Sequence, residues 1–323
     1  MIEGKVDVIN DDRVWAMVQG WVASEAASLP LPGRGRTWER FESLAELAGV
    51  DLSLARLAEG HADAVAILDE LGTGSAPQEN VVQAVWAARR PGELVATATD
   101  VGWELSGEKP FCSGAGLVAR ALVVADAPDG VRLFNLDVSD VDMVAGTWPA
   151  VGMAASASGR VAWRAAPVDA AQAVGPPGAY TDRIGFWWGA VGVAACWLGG
   201  ARALLDTVRR HLDAGVGEAV LAEFGAGWAR LDGAEAVLRD AAGRIDVAPR
   251  DLHAARRAAL GARHVVHAAC TAALETAAAA GGARPVCLDP AQSRRSADLY
   301  AYLAQHHLGR DAAMLGRLVI GDS

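Results

Sequence analysis

Between about residues 81 and 173 the chain changes its punctuation, and that change constrains the fold more than any single motif. Short runs of β-branched and apolar residues (ELVATAT, WELSGEK, ALVVADA, RLFNLDV, RVAWRAA) are separated by turn signals at Pro91-Gly92, Ser106-Gly107, Pro128-Asp129-Gly130 and Ser158-Gly159. Strands spaced this regularly predict a small antiparallel barrel or sandwich. The segments on either side carry helical spacing instead. A chain that runs helix, then strand, then helix must bury each block's apolar face in its own layer.

The first block reads as short helices. Asp11-Asp12 open one through Trp15, Val18 and Trp21, and Pro30, Pro32, Gly33 and Gly35 end it. Helical spacing returns at 37–48 and at 51–71, where Leu54, Leu57, His61, Val65 and Leu68 share a stripe, before the GTGSAP break at 72–77. After the PPG loop at 176–178, long Ala- and Leu-rich helices are expected at 182–211, 217–243, 250–280 and 290–316. Asp251 or Pro249 opens the third and Asp289-Pro290 the fourth, with proline tolerated in a first turn. The expected organisation is mainly α with a β middle domain: a short N-terminal helical domain at 1–75, a β domain at 76–175 and a C-terminal four-helix bundle at 176–323.

With 323 residues the chain can bury two or three sizeable cores. A net charge of -10 and a pI near 5.2 argue against a nucleic-acid or anionic-membrane surface. Four scattered cysteines, Cys112, Cys196, Cys270 and Cys287, form no C-x-x-C pair, which suits a reducing compartment and offers no zinc site. The opening MIEGKVDVINDDR has no apolar signal core, and the run FWWGAVGVAACWLGG at 186–200 is too short and glycine-rich to span a bilayer comfortably. A cytoplasmic protein is expected, with no membrane or nucleic-acid partner. No P-loop or dinucleotide fingerprint is present, since GAGLVARA lacks the strand-glycine-helix context.

Four segments carry further information. GWELSGEKPFCSGA (102–115) reads as a strand, a Ser-Gly turn and a second strand bearing Phe111-Cys112-Ser113. WPAVGMAASASGRVAW (148–163) holds Gly152-Met153 and Ser156, and GAVGVAACWLGGARALLD opens the bundle. AAAAGGARP (277–285) precedes RRSADLYAYLAQHH (294–307). In this order they resemble the acyl-CoA dehydrogenase superfamily over roughly residues 52–320, and the ending resembles its flavin-dependent hydroxylase branch. The resemblance implies FAD, with FMN or loss of flavin as alternatives, held between the β unit and the bundle. It implies that Phe111 packs beside the isoalloxazine ring and that the Ser113 hydroxyl lies at the reactive edge of the flavin. Cys112, Trp148, Gly281 and Gly282 complete the expected cofactor-binding set. Because the family's bundle packs against its own copy, the resemblance also implies a homo-oligomer, a dimer or tetramer. The aromatic and apolar residues of GFWWG…ACWLGG are expected to be more than one core can cover.

The chain also departs from the family. The N-terminal helical part has roughly half the usual length, and Ala154 stands where the family often has arginine. QAVWAARRPG (83–92) replaces the flavin-holding "T-E-P-x-x-G-S-D" loop, and HLDAGVGEA replaces "R-x-x-F-G". No "Y-E-G-T" supplies the glutamate base that takes the α proton of a thioester. The candidates for proton chemistry are Asp298, His306 and His307. Asp298 is flanked by Arg294 and Arg295, which should lower its pKa and suit it to a structural ion pair. Imidazole titrates near neutrality, and neighbouring helical positions diverge by about 100°, so at most one of His306 and His307 faces a site. His61 could face the same cavity, and Trp86, Trp148, Trp187 and Trp188 could line a flavin or an aromatic substrate.

Three functions remain open. The first is a flavin-dependent oxidoreductase of the acyl-CoA dehydrogenase type, acting on an acyl thioester or related small molecule. The second is a monooxygenase using reduced flavin from a partner reductase. The third is a non-catalytic scaffold or binding relative that has lost flavin.

Overall fold

The computed structural model describes residues 11–72, 80–212 and 215–321. The opening ten residues and most of the GTGSAP break lie outside the described residues. The helices are α1 (Asp11–Val22), α2 (Thr37–Val50), α3 (Leu52–Leu71), α4 (Ala179–Asp182), α5 (Gly185–His211), α6 (Glu218–Val247), α7 (Leu252–Gly281), α8 (Ala283–Leu288), α9 (Pro290–Leu303) and α10 (Leu308–Ile320). The strands are β1 (Gln83–Trp86), β2 (Leu94–Thr99), β3 (Gly102–Cys112), β4 (Arg120–Ala127), β5 (Gly130–Asp137), β6 (Asp142–Val144), β7 (Gly159–Asp169) and β8 (Ala173–Val174). The molecule is mostly helical with a β-sheet middle. Its contacts divide it into two compact units, one of residues 1–28, 60–149 and 154–180, the other of 29–59, 150–153 and 181–323.

The first unit is built on one eight-stranded sheet in the order β6-β7-β3-β2-β4-β5-β8. Five expected strands are present, but the sheet is not wholly antiparallel: β1 pairs with β4 in parallel, Trp86 opposite Val123. The QAVW segment, read from sequence as a loop substitute, is therefore a strand. Ser106-Gly107 is likewise not a turn. β3 runs unbroken through it for 11 residues, with a register shift between Leu105 and Gly107 against β7. Gly107 takes φ of +121°, and a Cβ there would run into the Glu93 carbonyl, so the glycine marks a bulge. One face of the sheet carries Leu122, Val124, Leu133 and Val174, which pack with Ala64, Ile67 and Leu68 of α3.

The second unit is a bundle around α5. Small residues let the helices approach closely: Gly192 faces Leu44 and Phe41 of α2, and a Cβ on Gly199 would overlap the Ala45 carbonyl. Asp251 accepts from the Ala254 N–H to open α7, and Asp289 accepts from Ala291 and Gln292 to open α9, with Pro290 in the first turn. α5 is long and apolar enough to cross a membrane, but 78% of its apolar window is buried inside the structure. Of the aromatic residues expected to drive self-association, Trp188 and Trp197 are buried in this unit, and Phe186 and Trp187 are half-buried. The expected single helix at 290–316 is two: α9 ends at Leu303 and α10 begins at Leu308.

Candidate active-site elements

In the first unit, the end of β3 forms an aromatic shelf. Alternation along the strand leaves Phe111 55% exposed and buries Cys112 fully. Phe111 takes φ of +58°, rare for a residue with a Cβ, and lies edge-on to Trp148 with ring centroids 6.2 Å apart. Cys112 belongs to the sheet core. Its thiol donates to the Lys109 carbonyl at 3.3 Å, and burial pushes its pKa up to about 12. The expected Cys112 contact with a cofactor is therefore corrected: its side chain points away from the shelf.

Ser113 follows, and its backbone is pinned. The Trp86 indole N–H donates to the Ser113 carbonyl at 2.9 Å, so Trp86 holds the shelf from the core instead of lining it. The Ser158 hydroxyl donates to Ser113 Oγ at 3.1 Å, and Ser158 Oγ lies 2.8 Å from Ser156 Oγ. Gly114 N–H donates to the Ser156 carbonyl and Ala115 N–H to that of Ala157, stapling the two segments together. Ser113 thus accepts through its oxygen and keeps its own proton to donate. Behind it, the Lys109 ammonium is buried and donates to the carbonyls of Ala88 (2.8 Å) and Val124 (2.6 Å). Burial lowers its pKa to about 8, and nearby Cys112, Asp126 and Glu93 oppose that shift. Sequence reasoning missed Ser158 and Lys109. The Ser-x-Ser spacing at 156–158 was the one available signal for the former.

His61, also in this unit, is buried and structural. Its Nδ1 accepts from the Gln83 N–H at 3.2 Å, and Trp21 meets its ring edge-on.

In the second unit, Asp298 is buried on α9. It accepts from the Met153 N–H and lies 3.4 Å from Arg294 Nε. Burial raises its pKa, outweighing Met153 and Arg294, so the lowering expected from flanking arginines is corrected. Arg294 also pairs with Asp51. A Cβ on Gly152 would collide with the Ala297 carbonyl, so the Gly152-Met153 turn sits directly on α9. Asp298 is the anchor of that turn.

His306 and His307 part company at the break after α9. His307 is the exposed residue preceding α10, whereas the His306 side chain is 1% exposed. Around His306 stand Trp197 of α5 (centroids 5.5 Å apart) and His267 of α7 (5.3 Å). Tyr302 of α9 meets Trp197 edge-on, and burial raises its hydroxyl pKa well above the ordinary value. Arg263 Nη2 lies 3.1 Å from His306 Nδ1, and Asp311 Oδ2 lies 3.5 Å from it. Burial, reinforced by Arg263, lowers the His306 pKa to about 4. A histidine that titrates near neutrality is therefore corrected to one that stays neutral there.

Trp188 is core, its ring against Gly33, and Trp187 meets Phe186 edge-on beneath Arg256. Gly281 ends α7 and Gly282 caps it with φ of +64°, a helix stop in the left-handed range. Among the described residues no group of three or more His, Cys, Asp or Glu side chains is placed to hold a metal ion.

No protein-family model matches the chain, and no curated protein matches its sequence. Solved structures do match over nearly its whole length. The dibenzothiophene monooxygenase TdsC from Paenibacillus sp. A11-2 superposes with a TM-score of 0.79 at 21% identity, covering 97% of this chain and 96% of that one. Methanesulfinate monooxygenase MsuC from Pseudomonas fluorescens gives 0.78 at 16% identity, with the same coverage. XiaF from Streptomyces sp., in complex with FADH2 and glycerol, gives 0.75 at 18% identity, covering 96% of this chain and 88% of that one. Alignment over this much of the chain shows the fold: this chain adopts the acyl-CoA dehydrogenase-like fold of these structures.

Proposed function

We propose that this protein is a flavin-dependent monooxygenase that uses reduced flavin, FMN or FAD, supplied by a partner reductase, and acts on a small molecule. The observation that carries the reading is the Phe111–Trp148 shelf, with the Ser113 hydroxyl following in the same segment and held by Ser158. An exposed ring offers a flat apolar surface to a planar heterocycle, and a pinned hydroxyl with its proton free offers a donor to a ring nitrogen or oxygen. Those features fit the isoalloxazine. Reduced flavin, when bound, activates dioxygen for transfer of one oxygen atom to the substrate. The chain's own part is to position the ring through Phe111 and Ser113, with Trp86 and Ser158 keeping Ser113 in place.

The oxygenases among the similar structures support this reading over acyl-CoA dehydrogenation, as does the chemistry of the carboxylates. Thioester oxidation needs a base for the α proton. Asp298 is occupied by the Met153 N–H and Arg294, and the sequence has no glutamate motif in the family's base position. The reading includes a cytoplasmic location, supported by four free thiols. It also includes a homo-oligomer, supported by α10, which buries none of its residues and leaves Val319 and Ile320 exposed.

The test supplies the protein with FMN or FAD, a flavin reductase, NADH and oxygen, and presents indole and dibenzothiophene by mass spectrometry. In parallel, straight-chain acyl-CoA is offered with an artificial electron acceptor. Oxygenated product in the first arm and none in the second is expected. Rapid thioester oxidation would reverse the assignment.

A further inference from the structure

We infer that Arg263 is a positioning residue: it fixes the buried His306 ring as the Nε2–H tautomer, making it a hydrogen-bond donor and not a base. The inference concerns the bundle's own residues and goes beyond the proposed function, which it neither needs nor tests.

The argument starts from what a guanidinium can do. It carries donors only, so at 3.1 Å from Arg263 Nη2 the Nδ1 of His306 must offer its lone pair. A neutral ring then holds its one proton on Nε2. Arg263 is itself fixed, since Nη1 donates to the Ala190 carbonyl at 2.6 Å and the guanidinium lies 4.8 Å over the Trp197 ring. The competing tautomer would point an Nδ1–H at Asp311 Oδ2, but that oxygen is farther away, at 3.5 Å, than the Arg263 donor at 3.1 Å, and Arg310 draws the same carboxylate through its other oxygen, Oδ1, at 3.0 Å.

The other polar groups around His306 leave this assignment in place. On α7, Arg263 and His264 repel a charged His306, and His267 adds to that effect. On α10 Asp311 favours the charge. The Trp197 ring packs against His306, and Tyr302 meets Trp197 edge-on. Among the described residues His306 Nε2 has no hydrogen-bond partner. A buried N–H without a partner is rare in a native structure, because its desolvation is uncompensated. An acceptor atom on a bound small molecule satisfies it. With Nδ1 blocked by Arg263 and Nε2 already protonated, this ring takes no proton from a substrate at neutral pH.

The experiment needs neither flavin nor turnover, so it can fail while the proposed function stands, and the reverse also holds. Protein labelled with 15N-histidine is examined by long-range proton–nitrogen spectra, with the His306 signals assigned by their loss in His306→Gln. The expected wild-type pattern is a protonated Nε2 and a bare Nδ1, unchanged from pH 8 to pH 5. Arg263→Met should release Nδ1 to Asp311, giving the Nδ1–H form or a ring that charges at a pH at least one unit higher than in wild type. Arg263→Lys, which keeps a cationic donor, should retain Nε2–H. A wild-type Nδ1–H tautomer, or titration of His306 near 6.5, would overturn the inference. So would a methionine variant with the wild-type pattern. If that variant does not fold, the wild-type tautomer and the lysine variant decide the matter.

Discussion

Replacing Lys109 by methionine should remove a pH dependence of stability that wild-type protein shows above neutrality. The ammonium sits inside the sheet, 2% exposed, with two carbonyls as acceptors. Burial lowers its pKa from 10.5 to about 8, whereas the unfolded chain holds the proton to about 10.5. Between those values the unfolded state binds more protons than the native state, so stability rises with pH. At about 1.36 kcal/mol per pH unit the whole effect is capped at about 3.4 kcal/mol, and about half of it falls between pH 7.5 and 9.5. Burial raises the thiol pKa of Cys112 and Cys270, which drives the opposite trend above pH 9 in both proteins. Subtracting the variant's curve from the wild-type curve removes it. Urea unfolding at pH 7.5, 8.5 and 9.5 measures both. The wild-type stability relative to Lys109→Met should grow by about 2 kcal/mol across that range. A difference that stays flat would refute the reasoning, because the lysine would then titrate as if in water.

Other substitutions probe the remaining elements. Gly199→Ala places a methyl against the Ala45 carbonyl where α2 crosses α5 and should cost about 3 kcal/mol in urea unfolding. Asp298→Ala strands the Met153 N–H and should cost about 1–3 kcal/mol, while Asp298→Asn, which keeps an acceptor, should cost less. Ser113→Ala removes the free donor of the shelf and should weaken flavin binding by about 0.5–1.5 kcal/mol in a fluorescence titration. For His306, folded pKa about 4 against 6.5 unfolded, stability should fall as pH drops from 6.5 through 4, and His306→Gln should flatten that limb in thermal melts.

The parts of this fold that were legible in the sequence depend on near neighbours. Asp251, Asp289-Pro290 and Gly282 bound their helices through contacts within a turn, so local chemistry sufficed to place them. The missed parts depend on distant ones. Ser106-Gly107 has the composition of a turn, and only pairing with β7, more than fifty residues later, makes it a bulge. β1 is four residues long and is a strand because β4 lies alongside it. The break between α9 and α10 falls at Ala304-Gln305-His306-His307, with no glycine or proline to announce it. Phe111, Trp148 and Ser113, the residues of the proposed shelf, were nominated through a motif. The hydroxyl chain to Ser158 and the Arg263 contact, 43 residues from His306, were invisible because they form only on folding.

The central claim is that the Phe111–Ser113 shelf binds flavin. Anaerobic titration of the purified protein with FMN and with FAD, each oxidised and then reduced, tests it most directly. The account predicts saturable binding of reduced flavin that weakens in Ser113→Ala and in Phe111→Ala while both variants keep the wild-type circular dichroism. Absence of saturable binding for either flavin in either redox state, or binding unchanged in both variants, would contradict it.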